Sequence, residues 1–148
     1  MKTNEAGLRL IKLYEGLCLQ VYRCPANIPT IGYGSCYGLD GNRLTMDHRM
    51  ITPSEADHLL QREVRHAERQ VARSISVPLT VNQFSALTSF TFNVGGGAFH
   101  ASTLRRKINR SEIESAASEF ERWRYAGGRV LPGLVKRRRA ECRLFLSA

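Results

Sequence analysis

Residues 14–34 read Tyr14-Glu-Gly-Leu-Cys-Leu-Gln-Val-Tyr-Arg-Cys-Pro-Ala-Asn-Ile-Pro-Thr-Ile-Gly-Tyr-Gly34, and the chain changes character across them. Upstream, residues 4–15 are predicted to be a helix, with Leu10, Leu13, Tyr14 and Leu17 on an i, i+3, i+4, i+7 stripe. Gly16 stands where that helix should stop, which puts Glu15 in the last turn or just beyond it. Over residues 18–45, Gly32, Gly34, Gly38 and Gly41 interrupt short β-type runs such as Thr30-Ile31 and Tyr33. That pattern predicts a small antiparallel sheet with tight turns.

Downstream the signals are helical. Thr52-Pro53-Ser54-Glu55 offers an N-cap threonine, proline at the first helical position and glutamate at the third. Ala56, Leu59, Leu60, Ala67 and Val71 give the helix that follows an apolar face. Thr80-Val-Asn-Gln83 is a second capping box, opening a helix through Phe84, Leu87, Thr91 and Val94 that Gly95-Gly96-Gly97 should stop. Ser102 and Ser111 (with Glu114 three residues later) are expected to cap two more helices. Gly127-Gly128 and Pro132 separate these from a final helix at roughly 134–146, and Trp123 is expected in the core. The layout is an α+β fold with two lobes in one domain, residues 1–148. A small sheet lobe spans about 16–52 and a helical bundle lobe about 74–148. The long 52–73 helix joins them, and helix 4–15 lies at the lobe interface.

Composition narrows the partners. The hydrophobic share of 43% is enough for a packed core without disulfides or metal. No apolar run approaches the roughly 20 residues of a membrane span. The net charge of +9 is uneven: residues 1–99 hold 10 basic and 8 acidic side chains, residues 100–148 hold 12 and 5. A basic half implies an anionic partner, whether nucleic acid, lipid headgroups or acidic wall polymers. No helix-turn-helix or RNA-binding signature accompanies it, so no specific nucleic acid is expected. Cys18, Cys24, Cys36 and Cys142 form no CxxC pair, and His48, His58, His66 and His100 share no ligand spacing. No metal and no cofactor are implied. The four histidines read as surface residues. The start has no apolar leader core, so the chain is expected to be made and kept in a cytoplasm unless the sequence is a trimmed one.

The 14–34 stretch resembles the signature of phage-type lysozymes (glycoside hydrolase family 24). There Glu-Gly precedes a tyrosine, an acidic residue and Thr-Ile-Gly-x-Gly. Later landmarks look similar and come in order: Val77 through Leu87, Phe92-Asn-Val-Gly95, Ser102-Thr-Leu104, Trp123 and Gly133 through Glu141. The resemblance covers nearly the whole chain. It implies a peptidoglycan-cleaving endolysin that hydrolyses the β-1,4 bond between N-acetylmuramic acid and N-acetylglucosamine. It further implies a monomer that reaches the wall after holin-dependent release from the host cytoplasm.

Glycoside cleavage needs a proton for the leaving oxygen and a group to manage the oxocarbenium-like carbon. The resemblance makes Glu15 the acid, a role that needs partial desolvation to keep it protonated. Relatives usually carry aspartate nine residues later, where this chain has Cys24. Three roles stay open for that thiol: a thiolate base or nucleophile, a holder of a water beside Thr30, or a tolerated replacement. A free or disulfide-bonded cysteine with no catalytic part is the bland alternative. Thr30 matches the threonine expected to contact the attacking water. Ser35 stands where many relatives have a histidine thought to be structural.

On the helical side, Phe92 and Asn93 align with residues that cover a sugar face and bond N-acetyl groups, and Ser102 and Thr103 with residues reaching the glycan. Arg137 aligns with an arginine that approaches the catalytic glutamate, although it could equally be one of a solvated basic run, Lys136–Arg139. The basic C-terminal helix could draw the protein to an anionic outer-membrane surface, or be only a solvated face. Two rival functions keep the same fold: a lytic transglycosylase, which needs one acid, and a wall-binding module whose catalytic pair decayed at Cys24.

Overall fold

The computed structural model describes residues 1–148. Helix α1 (Glu5–Glu15) leads into strands β1 (Cys18–Arg23) and β2 (Pro29–Gly32), and then comes the long α2 (Pro53–Ser74). Helices α3 (Val81–Val94), α4 (Gly96–Ala101), α5 (Thr103–Asn109) and α6 (Ile113–Ala117) follow. A short 3-10 turn, Phe120–Arg122, precedes the two-residue strands β3 (Tyr125–Ala126) and β4 (Arg129–Val130) and the last helix, α7 (Pro132–Leu146). Both two-stranded sheets, β1-β2 and β3-β4, are antiparallel. No helix is long and apolar enough to cross a membrane.

Two compact units are distinguishable. Residues 15–65 form one; residues 1–14 with 66–148 form the other. In the first, Ile31, Leu44, Ile51, Ala56 and Leu59 make a small core, with Leu19, Val21 and Tyr33 packed against it. The β1-β2 hairpin closes through Cys24-Pro-Ala-Asn-Ile28. The Asn27 amide donates to the Cys24 carbonyl at 2.7 Å, and the Cys24 amide to the Ile28 carbonyl at 3.0 Å. Proline presets the second position of the turn, and Asn27 supplies the left-handed residue (φ 62°) that a three-residue hairpin loop needs.

The second unit is built around Phe90, Phe99, Phe120 and Phe145. Trp123 is half-buried and packs edge-on against Phe90, with ring centroids 5.4 Å apart. Helix α1 is anchored here. The Asn4 amide donates to Ser85 Oγ at 2.9 Å. Gly7 lets the backbone come close, since a Cβ there would lie 2.8 Å from that of Ser85.

Both predicted capping boxes are present. The Glu55 amide donates to Thr52 Oγ1 at 3.1 Å while the Thr52 amide donates to Glu55 Oε1 at 3.0 Å. Thr80 and Gln83 repeat the exchange at the start of α3. Every apolar position read for α2 is buried.

Four local expectations are corrected. The buried face of α1 is Gly7, Leu10 and Ile11, leaving Leu13 74% exposed and Leu17 45% exposed. Apolar spacing alone marks a stripe through Leu13 and Leu17, whereas close packing at Gly7 sets its true position. Of the three glycines only Gly95 (φ 94°) breaks the helix, because Gly96 and Gly97 already belong to α4. A Cβ at Gly96 would displace the Gln70 side-chain amide, whose Oε1 lies 0.8 Å from where it would sit.

Ser111 does not cap α6. It takes the left-handed position (φ 61°) that ends α5, donating to the Ile108 carbonyl while Glu112 donates to that of Lys107. These paired bonds are a Schellman closure. Gly127-Gly128 is no mere separator but the two-residue turn of the β3-β4 hairpin, and Pro132 opens α7 instead of preceding it.

Candidate active site

Glu15 is the last residue of α1, and Gly16 (φ 74°) turns the chain away behind it. The Glu15 carboxylate lies against Gly34. A Cβ at Gly34 (φ 96°) would be 3.3 Å from Glu15 Oε1, so glycine both permits the turn and leaves room for the carboxylate. The two ends of the 14–34 stretch therefore meet in one unit.

Cys24 and Thr30 form a second pair. Thr30 is buried on β2, opposite Tyr22, and its hydroxyl donates to the Ile28 carbonyl at 2.8 Å. The half-buried Cys24 is a free thiol, as are Cys18, Cys36 and Cys142, which removes the disulfide-bonded alternative for Cys24. Its pKa is lowered chiefly by the Ile28 amide, with further help from the Ala26 amide and the Thr30 hydroxyl. The hairpin loop is thus a cradle of donors around the sulfur. A hydroxyl has one proton, so the Thr30 proton can serve either the Ile28 carbonyl or the sulfur. Formation of the thiolate would favour turning it to the sulfur.

Tyr22 ties the two pairs together. Partial burial pushes its hydroxyl up, and ionised Cys18, Cys24, Glu15 and Cys36 would push it the same way. Cys24 and Glu15 therefore both act on the Tyr22 hydroxyl. Tyr22 was not singled out from the sequence, where it reads as an ordinary strand aromatic.

Ser35 is buried beside Gly34, and its Oγ lies 2.7 Å from Glu63 Oε1 on α2. Arg62 reaches the same segment, donating to the Gly38 carbonyl at 2.7 Å and the Tyr37 carbonyl at 3.1 Å. Glu63 was also missed. The available signal was an acid at position i+4 from Leu59 and i+3 from Leu60, on the apolar stripe of its helix.

The remaining candidates belong to the helical unit. Phe92 is half-buried and Asn93 exposed near the end of α3. Asn93 Oδ1 accepts from Arg138 Nη2 at 2.6 Å. Ser102 is buried, and its hydroxyl donates to the Phe99 carbonyl at 2.6 Å while accepting from the Arg105 amide. Thr103 is exposed beside Arg106, whose Nη2 donates to its hydroxyl at 2.9 Å.

Arg137 does not belong to a solvated run. Arg137 and Arg138 are 3% and 0% exposed, and only Lys136 and Arg139 face water. Both buried guanidiniums meet Glu141, at 3.3 Å from Arg137 Nε and 3.0 Å from Arg138 Nε. Ser89 Oγ donates to the same carboxylate at 2.6 Å. Of the histidines, His58, His66 and His100 are exposed and His48 is half-buried.

Comparison with known proteins supplies the family. The chain is 41% identical, end to end on both sides, to the endolysin of Acyrthosiphon pisum secondary endosymbiont phage 1. A crystal structure of a P22 lysozyme mutant superposes with a TM-score of 0.90 at 35% identity, covering 99% of each chain. The muramidase domain of SpmX from Asticcacaulis excentricus superposes with a TM-score of 0.86 at 34% identity, again covering 99% of each. The family model for phage lysozyme matches residues 12–141, a span holding Glu15, Cys24, Thr30 and Arg137. The chain belongs to the phage lysozyme family.

Proposed function

We propose that this chain, a peptidoglycan-degrading endolysin by family, is a muramidase that hydrolyses the β-1,4 bond between N-acetylmuramic acid and N-acetylglucosamine. The observation that carries this reading is the meeting of the Glu15 carboxylate with Gly34 in the unit that also holds the Cys24–Thr30 pair. Glu15 protonates the leaving oxygen as general acid. Cys24 and Thr30 hold the attacking water: the sulfur and the threonine oxygen both accept hydrogen bonds, and the lowered thiol pKa makes part-time thiolate available as a base. Phe92, Asn93 and Thr103 contact the glycan, with Ser102 setting the start of α5; Arg137, at 3% exposed, is not a direct glycan contact. The protein acts as a monomer on the wall after holin-dependent release. The exposed Lys136, Arg139 and Arg143 of α7 add attraction to anionic surfaces.

The test is clearing of permeabilised Gram-negative cells by wild type, Glu15→Gln and Cys24→Ala, with mass spectrometry of the released muropeptides. Glu15→Gln should lower the rate by at least the 10²–10⁴-fold typical of a lost general acid, and wild-type products should carry reducing ends. Anhydro ends would make the protein a lytic transglycosylase. Full activity of Glu15→Gln would remove the assignment.

A further inference from the structure

Ser35 Oγ sits 2.7 Å from Glu63 Oε1 and 2.9 Å from the Tyr37 carbonyl oxygen. Both distances are those of hydrogen bonds between oxygens. A serine hydroxyl has one proton and two acceptor positions. With Glu63 ionised, only one of its two oxygen neighbours could receive that proton, and the other would be an oxygen–oxygen contact without hydrogen. With Glu63 protonated, every contact is satisfied: Glu63 donates to Ser35, Ser35 donates to the Tyr37 carbonyl, and Arg62 Nη2 at 3.4 Å completes the hydroxyl's surroundings.

We propose that Glu63 is held as a neutral carboxylic acid that donates its proton to Ser35, and that this bond positions the Thr30–Gly34 run against Glu15. The positioning role rests on Glu15 being the acid; the protonation state does not. Ser35 is joined to Gly34 by one peptide bond and pairs with Ile31 through both backbone bonds, at 2.9 and 2.8 Å. Fixing the Ser35 side chain therefore fixes both the glycine under the Glu15 carboxylate and the strand carrying Thr30. Charge balance around Glu63 agrees. Burial pushes its pKa up, the Ser35 hydrogen bond and Arg62 pull it down, and Glu15 pushes it up again. A histidine at position 35, as in many relatives, would have favoured an ionised partner. Glu63 is half-buried and a serine brings no positive charge to it, so the arrangement of hydrogen bonds around Ser35 leaves neutralisation to the proton.

The sign of the pH effect follows. A folded-state pKa above the unfolded value of about 4.3 stabilises the protein fully below that value. The contribution is lost as pH rises through the folded pKa. Glu63→Gln keeps a donor toward Ser35 and cannot ionise, so its melting temperature relative to wild type should rise as pH climbs from the unfolded value through the folded pKa and level off above it. A carbon-13 NMR titration of wild type should show the Glu63 carboxyl ionising above the ordinary glutamate value. Glu63→Ala should lower kcat roughly 10- to 100-fold through misplacement of the site with little change in KM, and Glu63→Gln should restore it.

A Glu63 titrating at or below about 4.3, or a Glu63→Gln stability difference that does not change with pH, would overturn the neutral-acid assignment. Both readouts need no turnover, so they stand even if Glu15→Gln remained active. Loss of activity in Glu63→Gln equal to that in Glu63→Ala would overturn the positioning role. Circular dichroism of Glu63→Ala separates lost positioning from lost folding.

Discussion

Removing the Glu141 carboxylate should cost this protein more stability than any single surface change. Glu141 and Arg138 are each 0% exposed and Arg137 3%, all on α7 and separated by three and four residues. Taking ions out of water costs several kcal/mol apiece, recovered only while the opposite charge is in place. Glu141→Ala takes away the carboxylate shared by two buried guanidiniums and the acceptor of the 2.6 Å bond from Ser89. Breaking a buried pair costs about 3–5 kcal/mol. A domain of this size loses roughly 2–4 °C of Tm per kcal/mol, so the melting temperature should fall by about 6–20 °C.

Arg110–Glu112 is the control. That pair is well exposed, with contact at 3.1 Å, and Glu112→Ala should stay within about 0.5 kcal/mol. The assay is thermal denaturation by circular dichroism at pH 7. A Glu141→Ala loss of no more than that of Glu112→Ala would refute the claim that the buried ions depend on one another. The consequence reaches the candidate glycan residues, because Asn93 is held by Arg138. The variant should bind glycan fragments more weakly even at temperatures where it is folded.

Cys24 alkylation by iodoacetamide should reach half its plateau rate below the ordinary thiol value of about 8.5, and Thr30→Val should move that midpoint up by deleting one donor to the sulfur. An unchanged midpoint in Thr30→Val would mean the hydroxyl does not reach the thiolate. Cys24→Asp should keep activity, since a carboxylate accepts the same hairpin donors; complete inactivity would make the thiol chemistry indispensable. Gly34→Ala should reduce activity far more than stability, because its Cβ would press the Glu15 carboxylate from 3.3 Å at a φ of 96°; equal wild-type rates would refute that contact.

Much of this architecture was legible because its signals are local. A capping box and a Gly-terminated helix are decided by a few neighbouring residues, and those at Thr52, Thr80 and Gly16 stand as their chemistry dictates. What escaped was set by distant packing. Nothing near Leu13 says that the α1 stripe begins at Gly7, because the reason is Ser85 on another helix. Ser111 carries the right residue type for an N-cap, but the preceding helix uses it first as a left-handed stop. Arg137 and Arg138 look like their solvated neighbours Lys136 and Arg139 until helical periodicity is joined to the one acid at 141 that can accompany them inward.

The departures at positions 24 and 35 share a physical direction. Each replaces a group that is charged, or readily charged, at neutral pH with one that is mainly neutral: a thiol for a carboxylate, a hydroxyl for an imidazole. With serine at position 35 the Arg62 guanidinium is the cation left beside Glu63, and on the proposed arrangement the carboxylate keeps its proton. Loss of the aspartate leaves Cys24, whose charge depends on the donors of the hairpin loop. Both sites gain negative charge only as pH rises, and both lie in the unit that holds Glu15. A positive charge developing on a sugar carbon is stabilised by nearby negative charge, more so where water is excluded. The field offered to that carbon should therefore strengthen toward alkaline pH. In a relative with a permanent aspartate at position 24 it should stay flat. Measuring kcat/KM against pH for wild type and Cys24→Asp separates the two cases: the ratio of wild-type to aspartate-variant kcat/KM should increase between pH 6 and pH 8, the ionisation of Glu15 being common to both, and parallel profiles would mean that the sulfur's charge does not reach the reacting carbon.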